Sequence, residues 1–359
     1  MSFVLKPVEY GNGTYRIVSD NFVNRYYSIS TLETCKLMAS PEVVGFHSYK
    51  AMLEGTLKGL RMLGFGSPES APTDHVSILT ILRGGLNYPL EEACCTLGVR
   101  VPTMNFLSCE RIISDGVITG LDIKYEKLRA EQDVTLMIGD IIASGETLTY
   151  AMRYFVNWYR EHGGSLRRII FFTIGGTRAI TLMEELTPYI HTIWPQFEGF
   201  DCIFYEGMFT VYTDNGVTGV NIPYIDFGWK GGVVTPEFRK YIFDYKYAPA
   251  LLEKCIIYDG GARRYEIPAH YEEVTDYWKR LFEAAVNGST TAQLVQEKLG
   301  CGTVSFSEWL NLNHYESDAS LIGLYSQEQV YASGLSAIPL EEICKARLEQ
   351  LEKDLGIYK

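Results

Sequence analysis

The sequence predicts an α/β fold: a doubly wound, mostly parallel five-stranded sheet with a hood and a C-terminal helical appendage. Two observations carry this. Between residues 76 and 213, short apolar runs alternate with segments whose apolar residues recur at helical spacing. Several of those runs are apolar throughout, as strands buried on both faces must be.

Residues 1–44 are mixed and Tyr-rich and read as an N-terminal flap or part of a hood. In 41–64, "PEVVGFHSYKAMLEGTLKGLRMLG", Val44, Met52, Leu53, Leu57, Leu60 and Met62 recur at roughly helical spacing after a leading proline. "VSILTILRGG" (76–85) reads as a buried strand ending in two glycines, 87–98 as a helix, and "VRVPTMNFLS" (99–108) as a second strand. Residues 109–128 are polar and read as a long loop. "VTLMIGD" (134–140) is a third strand. The clearest helix spans 146–162, with Leu148, Ala151, Met152, Phe155, Val156 and Tyr159 on one face and Gly163 and Gly164 past its end. "LRRIIFFTIGG" (166–176) is a fourth strand, followed by a helix over about 178–187. "FDCIFYEGMFTVYT" (200–213) is a fifth strand or a hairpin. The core therefore covers 45–213, an irregular aromatic hood region 214–286, and a helical appendage 287–359.

Composition narrows the function. The chain has 359 residues and a net charge of −12, against the basic surface of a non-specific nucleic-acid or anionic-membrane binder. It has no apolar run long enough to span a membrane and no signal-peptide pattern. The eight cysteines form no C-x-x-C pair, which fits free thiols in a reducing cytoplasm. The histidine spacing suits no dedicated zinc site, and neither a P-loop nor a G-x-S-x-G motif is present.

The chemistry concentrates in "IGDIIASGETL" (138–148), where an apolar strand ends and a helix begins. The first amides of a helix lack internal partners and carry partial positive charge, so a small-residue turn there can close on a phosphate. Ala143, Ser144, Gly145, Glu146 and Thr147 form that turn, and Ser144 and Thr147 add hydroxyls. Asp140, at the strand tip, is an acceptor for sugar hydroxyls or hydrated Mg²⁺. The alternative is a plain N-cap by Ser144 or Thr147. "ILRGG" (81–85) offers a second anion grip from Arg83 and the amides of Gly84 and Gly85, or else a tight turn with a surface arginine. Two such turns on one sheet suggest a sugar carrying phosphate at two places.

"LMIGDIIASGETL" resembles the phosphoribosyl-pyrophosphate loop of type I phosphoribosyltransferases, and "ILRGG" resembles that family's pyrophosphate loop, in the same order. The resemblance covers about 45–215. It implies binding of 5-phosphoribosyl 1-pyrophosphate (PRPP) and transfer of its phosphoribosyl group to a nitrogenous base or similar acceptor, with Mg²⁺ as cofactor. Under it, residues 143–147 hold the 5-phosphate, and Arg83, Gly84 and Gly85 hold the pyrophosphate. Asp140 meets the ribose hydroxyls and, through water, the metal. Asp140 and Arg83 are the catalytic candidates. A mobile loop within 108–127 would bring Arg111 and Lys124 to the pyrophosphate. The family's frequent dimerisation implies a homodimer.

"YIDFGWKGG" (224–232) supplies Tyr224, Phe227 and Trp229 as stacking candidates for the acceptor, and "GGARRY" (260–265) supplies the basic pair Arg263 and Arg264. One position departs from the family: Gly139 stands where the first of two adjacent acids is usual. That departure motivates an alternative, a non-catalytic protein that senses PRPP or a nucleotide on the same fold. No signature names the acceptor.

Overall fold

The five apolar runs expected as strands are strands, and they lie side by side. A computed structural model describes residues 3–8, 13–67, 75–82, 84–114, 117–142, 145–212, 226–244, 252, 262–299 and 304–358. The five runs are β4 (His75–Leu82), β5 (Thr103–Ser114), β7 (Val134–Ile142), β8 (Leu166–Gly176) and β9 (Phe200–Tyr212). They stand in the order β9-β8-β7-β4-β5, and every neighbouring pair is parallel. The chain thus leaves β4 toward β5 on one side and returns to β7 on the other. Such a reversal of strand order opens a crevice at the carboxyl ends of the two strands.

The sheet is larger than expected, with ten strands among the described residues. The N-terminal segment contributes β1 (Val4–Pro7), β2 (Thr14–Val18) and β3 (Arg25–Ile29), and β3 extends the parallel set by pairing with β9. Arg25 fixes that join: its Nε and Nη2 donate to the two carboxylate oxygens of the buried Asp201 at 2.6 and 2.9 Å. Residues 109–114 and 117–127, expected within a long loop, are strand. β5 continues into an antiparallel hairpin with β6 (Val117–Lys127), at the far edge of the sheet. The aromatic stretch after 225 forms β10 (Asp226–Val234), antiparallel to β9.

Eleven α-helices lie among the described residues. Alternation along each strand sends side chains to two apolar cores. Leu136 and Ile138 meet Phe155 and Leu182 on one face, while Met137 joins Ile78 and Leu60 on the other. α2 (Gly45–Met62) covers the second face; α4 (Glu146–Glu161) and α5 (Thr177–Ile193) cover the first. The six apolar residues expected on one side of α4 are all buried. Each large side chain among them contributes about 1.5–3 kcal/mol.

The C-terminal helices share these cores: Cys344 and Leu351 are buried with Leu57, and Trp309 with Phe155. A buried ion pair ties them to the sheet domain. Arg239, on α6 (Pro236–Asp244), donates to Glu328 at 2.9 Å and to the Tyr315 hydroxyl at 3.0 Å, and both charged side chains are 1% exposed. No helix among the described residues is long and apolar enough to cross a membrane.

Candidate functional site

Asp140 sits two residues before the end of β7, beside the carboxyl end of β4. The turn after β4 comes down onto it. A Cβ placed on Gly84 would lie 3.1 Å from Asp140 Oδ1, so the two strand tips face one crevice. Burial pushes the Asp140 carboxyl up to about 7, and among the described residues only the Ile141 amide, donating to Oδ1 at 2.8 Å, pulls it the other way. No described residue supplies a cation to this carboxylate. A desolvated carboxylate with so little compensation favours a ligand that brings hydrogen-bond donors or a metal ion.

Gly139 has a steric cause. A Cβ there would lie 2.4 Å from the Leu86 carbonyl oxygen, because the 3-10 turn Gly85–Asn87 packs directly on the strand. The Gly139 amide donates to Asn87 Oδ1 at 2.8 Å and locks the turn in place. A second acid beside Asp140 has no space. The same turn changes one expectation: the Gly84 amide already donates to the Ile81 carbonyl at 2.8 Å, so it is not aimed at an anion.

At the second grip, Gly145 is the N-cap of α4 in the left-handed region (φ 72°), a conformation glycine adopts at little cost. Among the described residues no side chain caps Gly145–Glu161, and Ser144, one of the two N-cap candidates, lies outside them. Glu146 and Thr147 open the helix. Arg111 reaches across from β5 and donates from Nε to Thr147 Oγ1 at 2.7 Å. It therefore stands at the helix start, where the 5-phosphate was expected, instead of at the pyrophosphate side.

Other predicted residues lie elsewhere. Lys124 is exposed on β6 and pairs with Asp122 at 2.5 Å and Glu110 at 3.2 Å. Trp229 is 3% exposed, packed on Phe238 with the Arg239 guanidinium over its ring, so it is core and not a stacking platform. Arg264 is buried and donates to the carbonyls of Ser40 and Val43, at 2.6 and 2.9 Å. Arg83, Ala143, Ser144, Tyr224 and the side chains of Phe227 and Arg263 lie outside the described residues.

Known structures resemble parts of this fold. A hypoxanthine-guanine phosphoribosyltransferase of L. donovani aligns with 36% of this chain and 69% of its own, at 17% identity and a TM-score of 0.28. A protein of Aquifex aeolicus aligns with 52% of this chain and 89% of its own, at 14% identity and a TM-score of 0.35. No protein-family model matches the sequence, and neither does any curated protein. Likenesses this distant leave the functional reading to the strand order and the crevice.

Two site residues escaped the sequence. Asn87 clamps the turn to β7 through its side chain. Tyr88, next in the chain, is 43% exposed and braced edge-on by Tyr265 with ring centroids 4.9 Å apart. The signal for both was their place just past the glycine pair, after Leu86. Among the described residues no group of three or more His, Cys, Asp or Glu forms a metal cluster. Mg²⁺ asks for less: it keeps most of its waters and is held by one or two carboxylates together with substrate phosphates. Asp140 is one carboxylate at this strand tip.

Proposed function

We propose that the protein binds 5-phosphoribosyl 1-pyrophosphate across the ends of β4 and β7 and transfers its phosphoribosyl group to a nitrogenous acceptor. The observation that carries this reading is the convergence of the Gly84 turn and the Asp140 carboxylate at the reversal point of the sheet, 3.1 Å apart by the Gly84 Cβ direction. The start of α4, at the left-handed Gly145, stands on the chain just beyond.

In the reaction, a nitrogen lone pair forms the bond to the anomeric carbon while the bond to pyrophosphate breaks and its electron pair leaves with that group. The protein's tasks are positioning and charge stabilisation. Asp140 accepts from the ribose hydroxyls and holds the sugar over the crevice. The turn 143–147 receives the 5-phosphate, with Arg111 moving its guanidinium from Thr147 Oγ1 onto a phosphate oxygen. Arg83 and Gly85 meet the pyrophosphate. Tyr88 offers an exposed ring to a flat acceptor beside the turn. Mg²⁺, held by Asp140 through water, would neutralise charge on the departing pyrophosphate.

A second reading is favoured by Gly139. With no room for a paired acid, the crevice would bind the same ligand as a sensor without turnover. One experiment separates the two: the protein is mixed with Mg²⁺, PRPP and a panel of purine, pyrimidine and pyridine bases, and pyrophosphate release is followed. Turnover with any base supports the transferase. Saturable PRPP binding without release across the panel supports the sensor, and absence of binding removes both. Asp140→Asn is expected to weaken PRPP binding about 10- to 100-fold, the scale of a hydrogen bond to a charged group.

A further inference from the structure

A second concavity lies at the β3 edge of the parallel set. Its volume is about 390 Å³, and Thr14, Thr31, Glu54, Lys58, Arg61 and Met62 line it. Small-ligand sites run from about 300 to 1,000 Å³. Thr31 follows β3, and β9 and β8 stand between β3 and β7. At about 4.8 Å per strand, the two strands at issue are roughly 14 Å apart. The cavity is therefore distinct from the Asp140 crevice.

Its charges are arranged along one helix. Glu54, Lys58 and Arg61 form a single stripe of α2, and Glu54 and Arg61 are roughly 10 Å apart along its axis at about 1.5 Å per residue. Glu54 and Lys58 have the spacing of a helical ion pair, but Lys58 turns inward. Its ammonium donates to the Ser30 carbonyl at 2.7 Å, and Glu237 and Glu206 lie in its field. Glu54 and Arg61 form no ion pair among the described residues. Lys58 is drawn inward to the Ser30 carbonyl, so a bare anion entering the cavity would meet Arg61 at one end and be repelled by Glu54 at the other. A ligand with both charges meets a partner at each end, and the threonines line the space with hydroxyl-bearing side chains.

We propose that this cavity binds a small zwitterion, its carboxylate or phosphate at Arg61 and its protonated amine at Glu54. The contacts are solvent-facing, so binding is weak, in the millimolar range.

Met62 provides a local reporter. The protein is labelled at its nine methionine methyl groups, and the Met62 resonance is assigned with Met62→Leu. The probe is 6-aminohexanoate, with hexanoate and hexylamine as single-charge controls. The Met62 methyl is expected to shift saturably with 6-aminohexanoate, and about two- to fivefold more weakly with either control, the range of one exposed ion pair. Glu54→Gln and Arg61→Gln are each expected to weaken the probe by the same factor. Both side chains project outward, and circular dichroism checks the fold. A Met62 resonance that stays still, or that responds to hexanoate as strongly as to 6-aminohexanoate, overturns the proposal on the unmodified protein alone. Equal affinity in both variants overturns it independently.

Discussion

Asp140 and Glu206 stand on β7 and β9, and burial pushes both carboxyls up to about 7. Their surroundings differ. Glu206 is fully buried and accepts from the Thr31 amide at 3.3 Å, the Thr235 hydroxyl at 2.8 Å, and the Thr34 hydroxyl, with the Cys35 thiol 3.5 Å away. Those donors belong to the start of α1 (Leu32–Ala39) and to the residue before α6, so one carboxylate joins two helix starts to the sheet. It does this at φ +60°, a strained conformation for glutamate. Among the described residues, Asp140 accepts from one backbone amide only. Asp140 is half-buried where Glu206 is fully buried, and it is the difference in satisfaction that separates a structural acid from one whose acceptor capacity is left to a ligand.

The largest expected effect comes from removing the satisfied acid. Glu206→Ala takes the acceptor from the buried Thr235 hydroxyl, removes the carboxylate that joins the two helix starts, and leaves a cavity, and it should cost about 3 kcal/mol, read from urea unfolding. A loss under about 1 kcal/mol would break the contrast from the Glu206 side. Asp140→Asn should do the reverse. The amide carries no charge to desolvate, so at pH 8 the ligand-free variant should match or exceed the parent by about 1 kcal/mol, with partial exposure discounted. Marked destabilisation would make Asp140 structural after all.

The pH dependence sharpens the same comparison. Both folded-state pKa values lie above the unfolded carboxyl range near 4, so between about pH 4 and 7 the folded protein holds more protons than the unfolded chain. Each group therefore lowers stability as pH rises through that window, with little further change above it. Asp140→Asn should flatten the fall by up to about 1.4 kcal/mol per pH unit, and an unchanged slope would place the Asp140 pKa elsewhere. The smallest effect belongs to Arg111→Gln. Its contact with Thr147 is exposed, so stability should change by less than about 0.5 kcal/mol, while PRPP affinity falls severalfold. Unaltered affinity would remove Arg111 from the anion grip.

The central strands were legible because both of their faces are buried, and α4 was legible nearly to the residue because its apolar face is uninterrupted. The β5–β6 hairpin was not. Glu110, Asp122 and Lys124 face solvent there, Gly120 interrupts the run, and two register shifts break the alternation. That also hid the Arg111–Thr147 contact, which depends on the hairpin's placement. α5 was expected to stop near Pro188 but continues to Ile193, through the proline. In the site, Asp140 was readable from its position at a strand tip. The burial of Trp229 and Arg264 was not, since aromatic and basic clusters look alike in sequence whether they face a ligand or the core. Glu206 left no trace because its donors come from segments far apart in the chain.

The pressing of Leu86 against Gly139 bears on redesign. A laboratory lineage selected for a twin carboxylate at this strand tip cannot reach it by changing residue 139 alone, since the first methylene would collide with main chain that has nowhere to retreat. The segment 85–87 and its Asn87 latch would have to be rebuilt first, so loop and strand must be varied together as one unit.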